Sequence, residues 1–407
     1  MTTPAPRDAV IVAARRTPVS GLGRALAGVD AAALGAVVLT ALRDDVLATS
    51  GAPDLVVAEV LLGSCCGPGG NVARSAALTA GLGIEVAAST VDRQCGSGLE
   101  AVRLAAALVA GAAGSARPDA GSAPRPPRVV LAGGTESASR SPWRPAEGPG
   151  FGRARFAPEP FADPDMGPAA DALAQRCGVS RERQDAYAAR SHRLALAARE
   201  AGVFDAETVS VAGVLTDTRP RPGLTEAMLG RFRPAFGPTG TVTVGNACGI
   251  DDGAAAVAVV DEATRAAWGL PGLRVVGSAV CGVDPALPGW GAVPAVRSVL
   301  ADAGLDIADL EVLEITEAFA AQVLAATDAL GLDPLGADAA RVCPDGGAIA
   351  LGHPWGASGA LLLVRLFSRL VRRPAPSGAT SGAGRYGIAV CAVGGGQGIA
   401  LLVERVG

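Results

Sequence analysis

Short apolar runs alternate with Ala-rich amphipathic stretches along most of the 407 residues. Runs at 9–13, 57–62, 89–92, 129–132, 273–278, 310–315 and 386–393 have the length and composition of strands. Stretches at 31–46, 98–110, 253–267, 292–302 and 357–370 read as helices. Repeated strand–helix–strand units build parallel or mixed sheets covered by helices, an α/β architecture. A chain that is 49% hydrophobic can bury a core large enough for two similar domains, or for one built from two halves. The two ends share a plan. In each, one strand runs into a short polar turn and a later one ends in a glycine run, Gly133–Gly134 and Gly394–Gly396. An internal duplication follows.

The segment 141–245 breaks this rhythm with proline-rich connections and one amphipathic helix at 181–201, as expected of an inserted lid. Gly/Ala/Ser/Pro-rich stretches at 112–127 and 374–384 read as surface loops. The expected division is 1–140 plus 246–271 as a first half, 141–245 as a loop domain and 272–407 as a second half.

Charge and cysteine content narrow the function. Charged residues make up 18% and the net charge is −4, so neither nucleic acid nor an acidic membrane surface is an expected partner. All 35 basic residues are arginine, so abundance alone marks no arginine as a site. Residues 1–8 are polar and lead straight into a strand, and no apolar run is long and charge-free enough to span a bilayer. Eight cysteines in such a chain suggest reduced thiols and a cytoplasmic protein. With two histidines and no zinc spacing, a His-rich metal site is excluded.

Two residues stand out. Cys95 follows an apolar strand, lies between Gln94 and Gly96 and opens a helix. A helix N-terminus favours thiolate and offers backbone N–H groups to an oxyanion. A buried structural cysteine is the equal alternative. His353 sits in a Gly-dense turn before a helix, a place for a base or for a surface turn histidine. The only other histidine, His192, lies mid-helix and reads as packing or solvated, so an imidazole base would be His353. The run Gly394–Gly398, interrupted by Gln397, could aim N–H groups at a substrate oxygen or simply form a tight turn. Thr316 to Phe319 sit at a strand end where polar side chains can reach a cleft. The stretch 245–253 reads as a turn entering an Ala-rich helix, with Asp251 or Asp252 as its cap or with backbone offered to a ligand.

Together these segments resemble the thiolase family. VDRQCGSGLEAV is similar to its nucleophile motif. GNACGIDDGAAAV, EITEAFAAQ, GGAIALGHPWGASGA and CAVGGGQG are similar to its later motifs, in order, and 219–244 is similar to its coenzyme A-binding stretch. The resemblance implies a five-layer αβαβα thiolase fold of two similar halves with a loop domain, a homodimer, and no tightly bound cofactor. It implies ping-pong transfer from an acyl-CoA or acyl-carrier thioester, with Cys95 acylated and His353 as base. One oxyanion site would use His353 and Thr316, the other the N–H groups of Cys95 and Gly394. Arg221 would lie near the nucleotide end of the coenzyme. Met166, Phe236, Val244, Cys248, Ala318 and Phe319 would border the acyl and pantetheine tunnel.

Several positions depart from the pattern. Thr316 replaces the asparagine that holds a water, Asp345 replaces another asparagine, Cys248 a serine and Val244 an alanine, and Trp355 stands where a smaller residue is usual. The family's second cysteine stands two residues before the glycine triplet, where this chain has Ala392, with Cys391 one residue early. One residue of offset turns a strand side chain to the other face unless a bulge intervenes. The expectation is therefore an acyl-Cys95 enzyme whose acceptor is not reached by ordinary Claisen condensation. A standard thiolase with Cys391 as base, and a silent thiolase-fold partner protein, are the alternatives. A nicotinamide oxidoreductase has no Gly-x-Gly-x-x-Gly after the first strand to support it.

Overall fold

The computed structural model describes residues 5–52, 55–112, 128–141, 155–373 and 386–407. The loop expected at 374–384, and 113–127 of the other, lie outside them. The strands are β1 (Ala9–Arg16), β2 (Ser20–Gly21), β3 (Val56–Gly63), β4 (Ala87–Val91), β5 (Arg128–Ser137), β6 (Asp251–Asp261), β7 (Gly272–Gly282), β8 (Leu310–Ile315), β9 (Tyr386–Val393) and β10 (Gln397–Val406). The α-helices are α1 (Ala31–Ser50), α2 (Val72–Thr79), α3 (Ser97–Ala112), α4 (Met166–Cys177), α5 (Arg181–Glu200), α6 (Glu226–Leu229), α7 (Glu262–Ala267), α8 (Ala292–Ala303), α9 (Ala320–Leu330), α10 (Ala348–Leu351) and α11 (Trp355–Phe367).

Strand order makes the duplication visible. The path β4-β3-β5-β6-β1-β7-β10-β9-β8 reads outward from the β1–β7 joint as β1, β6, β5, β3 on one side and β7, β10, β9, β8 on the other. Within each half the outer strands pair in parallel and the inner ones antiparallel. Only Val10–Arg274 and Ile11–Leu273 pair across the joint, so the halves can fold over it.

The cores then stack as layers. Leu34, Leu39 and Leu42 of α1 and Ala73 and Ala76 of α2 cover one face of the first half. Leu99, Val102 and Ala105 of α3 and Leu363 and Leu366 of α11 lie between the two halves. Val296 and Val299 of α8 and Val323 and Leu324 of α9 cover the outer face of the second. This is the αβαβα order, with α3 and α11 buried at the centre.

One expected helix is wrong. Residues 251–261 form strand β6, paired with β1 and β5, and only 262–267 are helical. Asp251 and Asp252 therefore cap no helix. Ala255, Val257 and Val259 face the central helices, while Ala254, Ala256, Ala258 and Val260 face α1. A strand covered on both faces loses polar alternation, and its small residues let neighbours approach closely. A Cβ on Gly133 of β5 would lie 2.1 Å from the Ala255 carbonyl oxygen. Alanine served packing here, and its helix propensity was overridden by burial.

Candidate active site

The two central helices meet at their first turns. A Cβ on Gly98 would lie 2.8 Å from the carbonyl oxygen of Gly356, and one on Gly359 would lie 2.5 Å from the Leu99 nitrogen. Side chains there would force the helices apart. Cys95 precedes α3 by two residues and His353 precedes α11 by two, so this crossing carries both toward the same region from opposite halves.

A strained turn presents Cys95. Gln94 has a φ of 46°, and its N–H donates to Asp92 Oδ1 at 2.8 Å. Ser97 Oγ donates to the Gln94 carbonyl at 2.6 Å and accepts from Arg93 N at 2.8 Å. A non-glycine residue in the left-handed region is costly and persists only when its surroundings fix it.

His353 is buried and held at both ends. Its backbone N–H donates to Asp251 Oδ2 at 2.8 Å, and Nδ1 lies 2.6 Å from Ser358 Oγ. Ser358 Oγ donates its one proton to the Pro354 carbonyl at 3.0 Å, so it accepts from Nδ1–H. The lone pair is thereby placed on Nε2, a buried nitrogen with no partner among the described residues. Burial pushes this imidazole down to about 4, so at neutral pH it is the free base.

Cys391 lies on β9 with Ala389 and Val393 on the central face, while Ala392 faces the outer helices. Its sulfur is 3.2 Å from Thr316 Oγ1. Burial pushes the Cys391 thiol up to about 12, and the threonine hydroxyl pulls the other way. Cys95 is likewise pushed up to about 12, by burial first and then by the Cys391 and Cys66 thiols.

A cavity of about 410 Å³ lies nearby, lined by Arg221, Phe236, Val244 and Cys248 together with His192, Arg219 and Phe232. The Cys248 N–H donates to the Ala318 carbonyl at 3.0 Å, and the Phe236 and Phe319 rings meet edge to face at 6.5 Å. Met166 opens α4, whose Gly167 lies against the Phe236 ring. A second space of about 850 Å³ shares His192, Arg221 and Leu224 with the first and adds Arg190 and Arg193. The two spaces adjoin through these shared residues and are lined by Arg190, Arg193, Arg219 and Arg221, with Glu200 and Glu226 on the second.

Residues 9–263 match the thiolase N-terminal domain and residues 271–405 the thiolase C-terminal domain. The chain belongs to the thiolase family. It is similar to an acetyl-CoA acetyltransferase of Pseudomonas aeruginosa, 40% identical over 98% of this chain and 100% of the relative. It is equally similar to one of Cupriavidus necator, 40% identical over 98% of this chain and 99% of the relative. The crystal structure of the Bacillus anthracis acetyl-CoA acetyltransferase superposes with a TM-score of 0.83 at 34% identity, covering 99% of this chain and 100% of that one. As a thiolase, the chain is an acyltransferase.

Two expectations about this thiolase need correction. Cys391 is not turned away from the central layer. The β9–β10 ladder runs without a bulge from Val393–Gln397 through Ile399–Cys391 to Tyr386–Glu404. The Gly394–Gly396 turn follows, with Gly395 and Gly396 both at a φ of 79°. Cys391 and Val393, not Ala392, therefore share the central face. Nor does the helix N-terminus make Cys95 a resting thiolate, because burial outweighs it.

Other residues took roles the sequence did not announce. His192 is buried, lines both cavities, and accepts the Arg221 N–H on Nδ1 at 3.2 Å. Glu317 does not point into the cleft. It accepts from Tyr187 Oη at 2.8 Å, Ser191 Oγ at 2.7 Å and Ile349 N at 3.1 Å, tying α5 to the second half. Glu136 accepts from the N–H groups of Cys65, Cys66 and Gly356 at 3.1, 3.1 and 3.0 Å, and from the Cys65 thiol at 3.1 Å. Cys65, Cys66 and Glu136 have ligand atoms within 4.8 Å of one another. With its oxygens so occupied, the carboxylate acts as a clamp on the start of α11. Gly394 opens the turn after β9, with a Phe156 ring carbon 3.1 Å from where its Cβ would be. Among the described residues, no helix is long and apolar enough to cross a membrane.

Proposed function

We propose that this thiolase is an acetyl-CoA C-acyltransferase of the ordinary kind, a cytoplasmic homodimer that joins two acetyl groups by Claisen condensation and cleaves the product by thiolysis. Cys95 carries the acyl group, His353 is its base and Cys391 handles the Cα proton. The observation that carries this reading is the position of Cys391, on the central face and 3.2 Å from Thr316 Oγ1. The expectation of a non-Claisen acceptor rested on that cysteine pointing elsewhere. The relatives' names agree with the standard reaction.

The protons balance as follows. Cys95 gives its proton to His353 Nε2 as sulfur attacks the thioester carbonyl. Departing coenzyme A takes the proton of Cys391, leaving an acetyl-Cys95 thioester, an imidazolium and the Cys391 thiolate. That thiolate removes a methyl proton from a second acetyl-CoA, whose enolate oxygen is held by the imidazolium. The enolate carbon attacks the acetyl-Cys95 carbonyl, and the Cys95 sulfur leaves with the imidazolium proton. Both thiols are neutral again, in keeping with two thiols that burial holds protonated at rest. Arg221, His192 and Arg219 bind the anionic end of the coenzyme, and Phe236, Val244, Cys248, Ala318, Phe319 and Met166 border its pantetheine arm. The N–H groups of Cys95 and Gly394 receive the oxyanion on the acyl group.

The test is Cys391→Ala, assayed in two ways. Thiolysis of acetoacetyl-CoA should fall by about 10²–10⁴-fold, the usual worth of a positioned base. Acetylation of Cys95, followed by intact mass in a single turnover, should persist. Wild-type enzyme that yields no acetyl-CoA from acetoacetyl-CoA and coenzyme A, or a variant with undiminished thiolysis, refutes the proposal.

A further inference from the structure

Beside Thr316 lies a small cavity of about 40 Å³, lined by Arg16, Glu314, Thr316, Gly347, Ser358 and Arg365 among others. Glu314 and Thr316 are two residues apart at the end of β8 and point to the same side. Glu314 is buried, and no hydrogen-bond donor among the described residues is bonded to its carboxyl. Arg365 Nε, on the same cavity, is also buried without a partner among them. Buried polar groups are seldom left so, and the space exceeds the roughly 10–15 Å³ that one water needs. Of the two hydroxyls on the cavity, Ser358 is already committed to Pro354 and His353. Among the described residues the Thr316 hydroxyl has Cys391 alone as its partner, and it keeps acceptor capacity.

We propose that Glu314 is a positioning residue for the carbon–carbon step: water held between its carboxyl and the Thr316 hydroxyl donates to that oxygen, turning the Thr316 proton toward the Cys391 thiolate. This rests on the reading of Cys391 as the base at Cα. The protonated carboxyl donates to the water, the water to Thr316, and Thr316 to the sulfur, with no net proton moved. Burial raises Glu314 to about 8, so the neutral form prevails at pH 7. The groups around it are Arg365 of α11, Arg369 just beyond, Arg16 of β1, Asp345, Cys343 and Glu317. Above about 8 the ionised carboxylate places a like charge near the thiolate and opposes its formation.

The experiment reads the Cys391 step alone: exchange of the acetyl-CoA methyl protons with deuterium, followed by proton NMR from pH 6.5 to 9.5. Wild-type exchange should fall as pH passes about 8. Glu314→Gln keeps the hydrogen-bonding group without the charge, so its exchange should match wild type at pH 7 and hold through pH 9. Glu314→Leu should lower exchange about tenfold at pH 7, the rate equivalent of one hydrogen bond to a charged group, and hold that lower level through pH 9 because it carries no charge. Single-turnover acetylation of Cys95 should be unchanged in both. Superimposable wild-type and Glu314→Gln profiles, or undiminished exchange in Glu314→Leu, overturn the proposal. If the leucine variant does not fold, the glutamine profile decides alone. Wild-type enzyme that acetylates Cys95 and exchanges no methyl proton overturns instead the base reading of Cys391, and this proposal with it.

Discussion

Replacing Ser358 with alanine removes the group that fixes the proton on His353. The native contact is short, 2.6 Å, and the hydroxyl is committed as an acceptor by its own bond to Pro354. In Ser358→Ala the buried Nδ1–H loses its partner, which costs about 1–3 kcal/mol. The ring can escape that cost by moving its proton to Nε2, but this fills the lone pair that should receive the Cys95 proton. Either way the competent state becomes rarer, and acylation should slow by roughly 5- to 150-fold. The assay is rapid-quench acetylation of Cys95 by acetyl-CoA, with intact-mass detection. The coenzyme cavity is lined by neither Ser358 nor His353, so the acetyl-CoA concentration giving half-maximal acylation should stay near wild type. A variant that acylates at the wild-type rate would show that Ser358 does not set the tautomer. A variant whose loss lies wholly in acetyl-CoA binding would refute the assignment of His353 as base.

Acylation by wild-type enzyme should hold its rate as pH falls through the usual histidine range and drop only toward about 4, where burial has moved His353; a midpoint near 6.5 would refute this placement. Phe236→Ala removes a ring from the cavity wall and from the edge-to-face pair with Phe319, and should raise the KM for acetyl-CoA about tenfold with kcat little changed, as measured by steady-state thiolysis. Gly359→Ala puts a methyl group within 2.5 Å of the Leu99 backbone nitrogen and should destabilise the fold by about 1–3 kcal/mol in urea unfolding. Burial raises the Glu207 carboxyl, but Arg365 and then Arg16 outweigh it and hold it down at about 2. Its folded value lies below the ordinary 4.5, so the stability it contributes is present above 4.5 and is lost as pH falls toward 2. Thermal melts of Glu207→Gln should lose that acid dependence.

What could be read from the sequence, and what could not, divides along a physical line. The setting of Cys95 and His353 is legible, since each lies just before a helix among glycines that let two helices touch, but local chemistry leaves a structural cysteine and a turn histidine as equal readings and the family resemblance supplies the roles. The strand nature of 251–261 was not legible. Alanine favours a helix where nothing else decides, and only the covering of both faces by α1, α3 and α11 makes small residues necessary there. The role of His192 was hidden for a similar reason. Mid-helix position says nothing about which face meets the loop carrying Arg221, 29 residues away in sequence. Cys391 is the sharpest case. Its face depends on a parity, and parity depends on which point of the chain is held fixed. Taking the glycines as the fixed point puts Ala392 toward the central layer. In the structure a continuous ladder with β10 puts Cys391 there instead. The partner strand is the better guide: Ile399 pairs with Cys391, and Gly96 of the nucleophile turn packs against Ile399 and Val393, which share the Cys391 face.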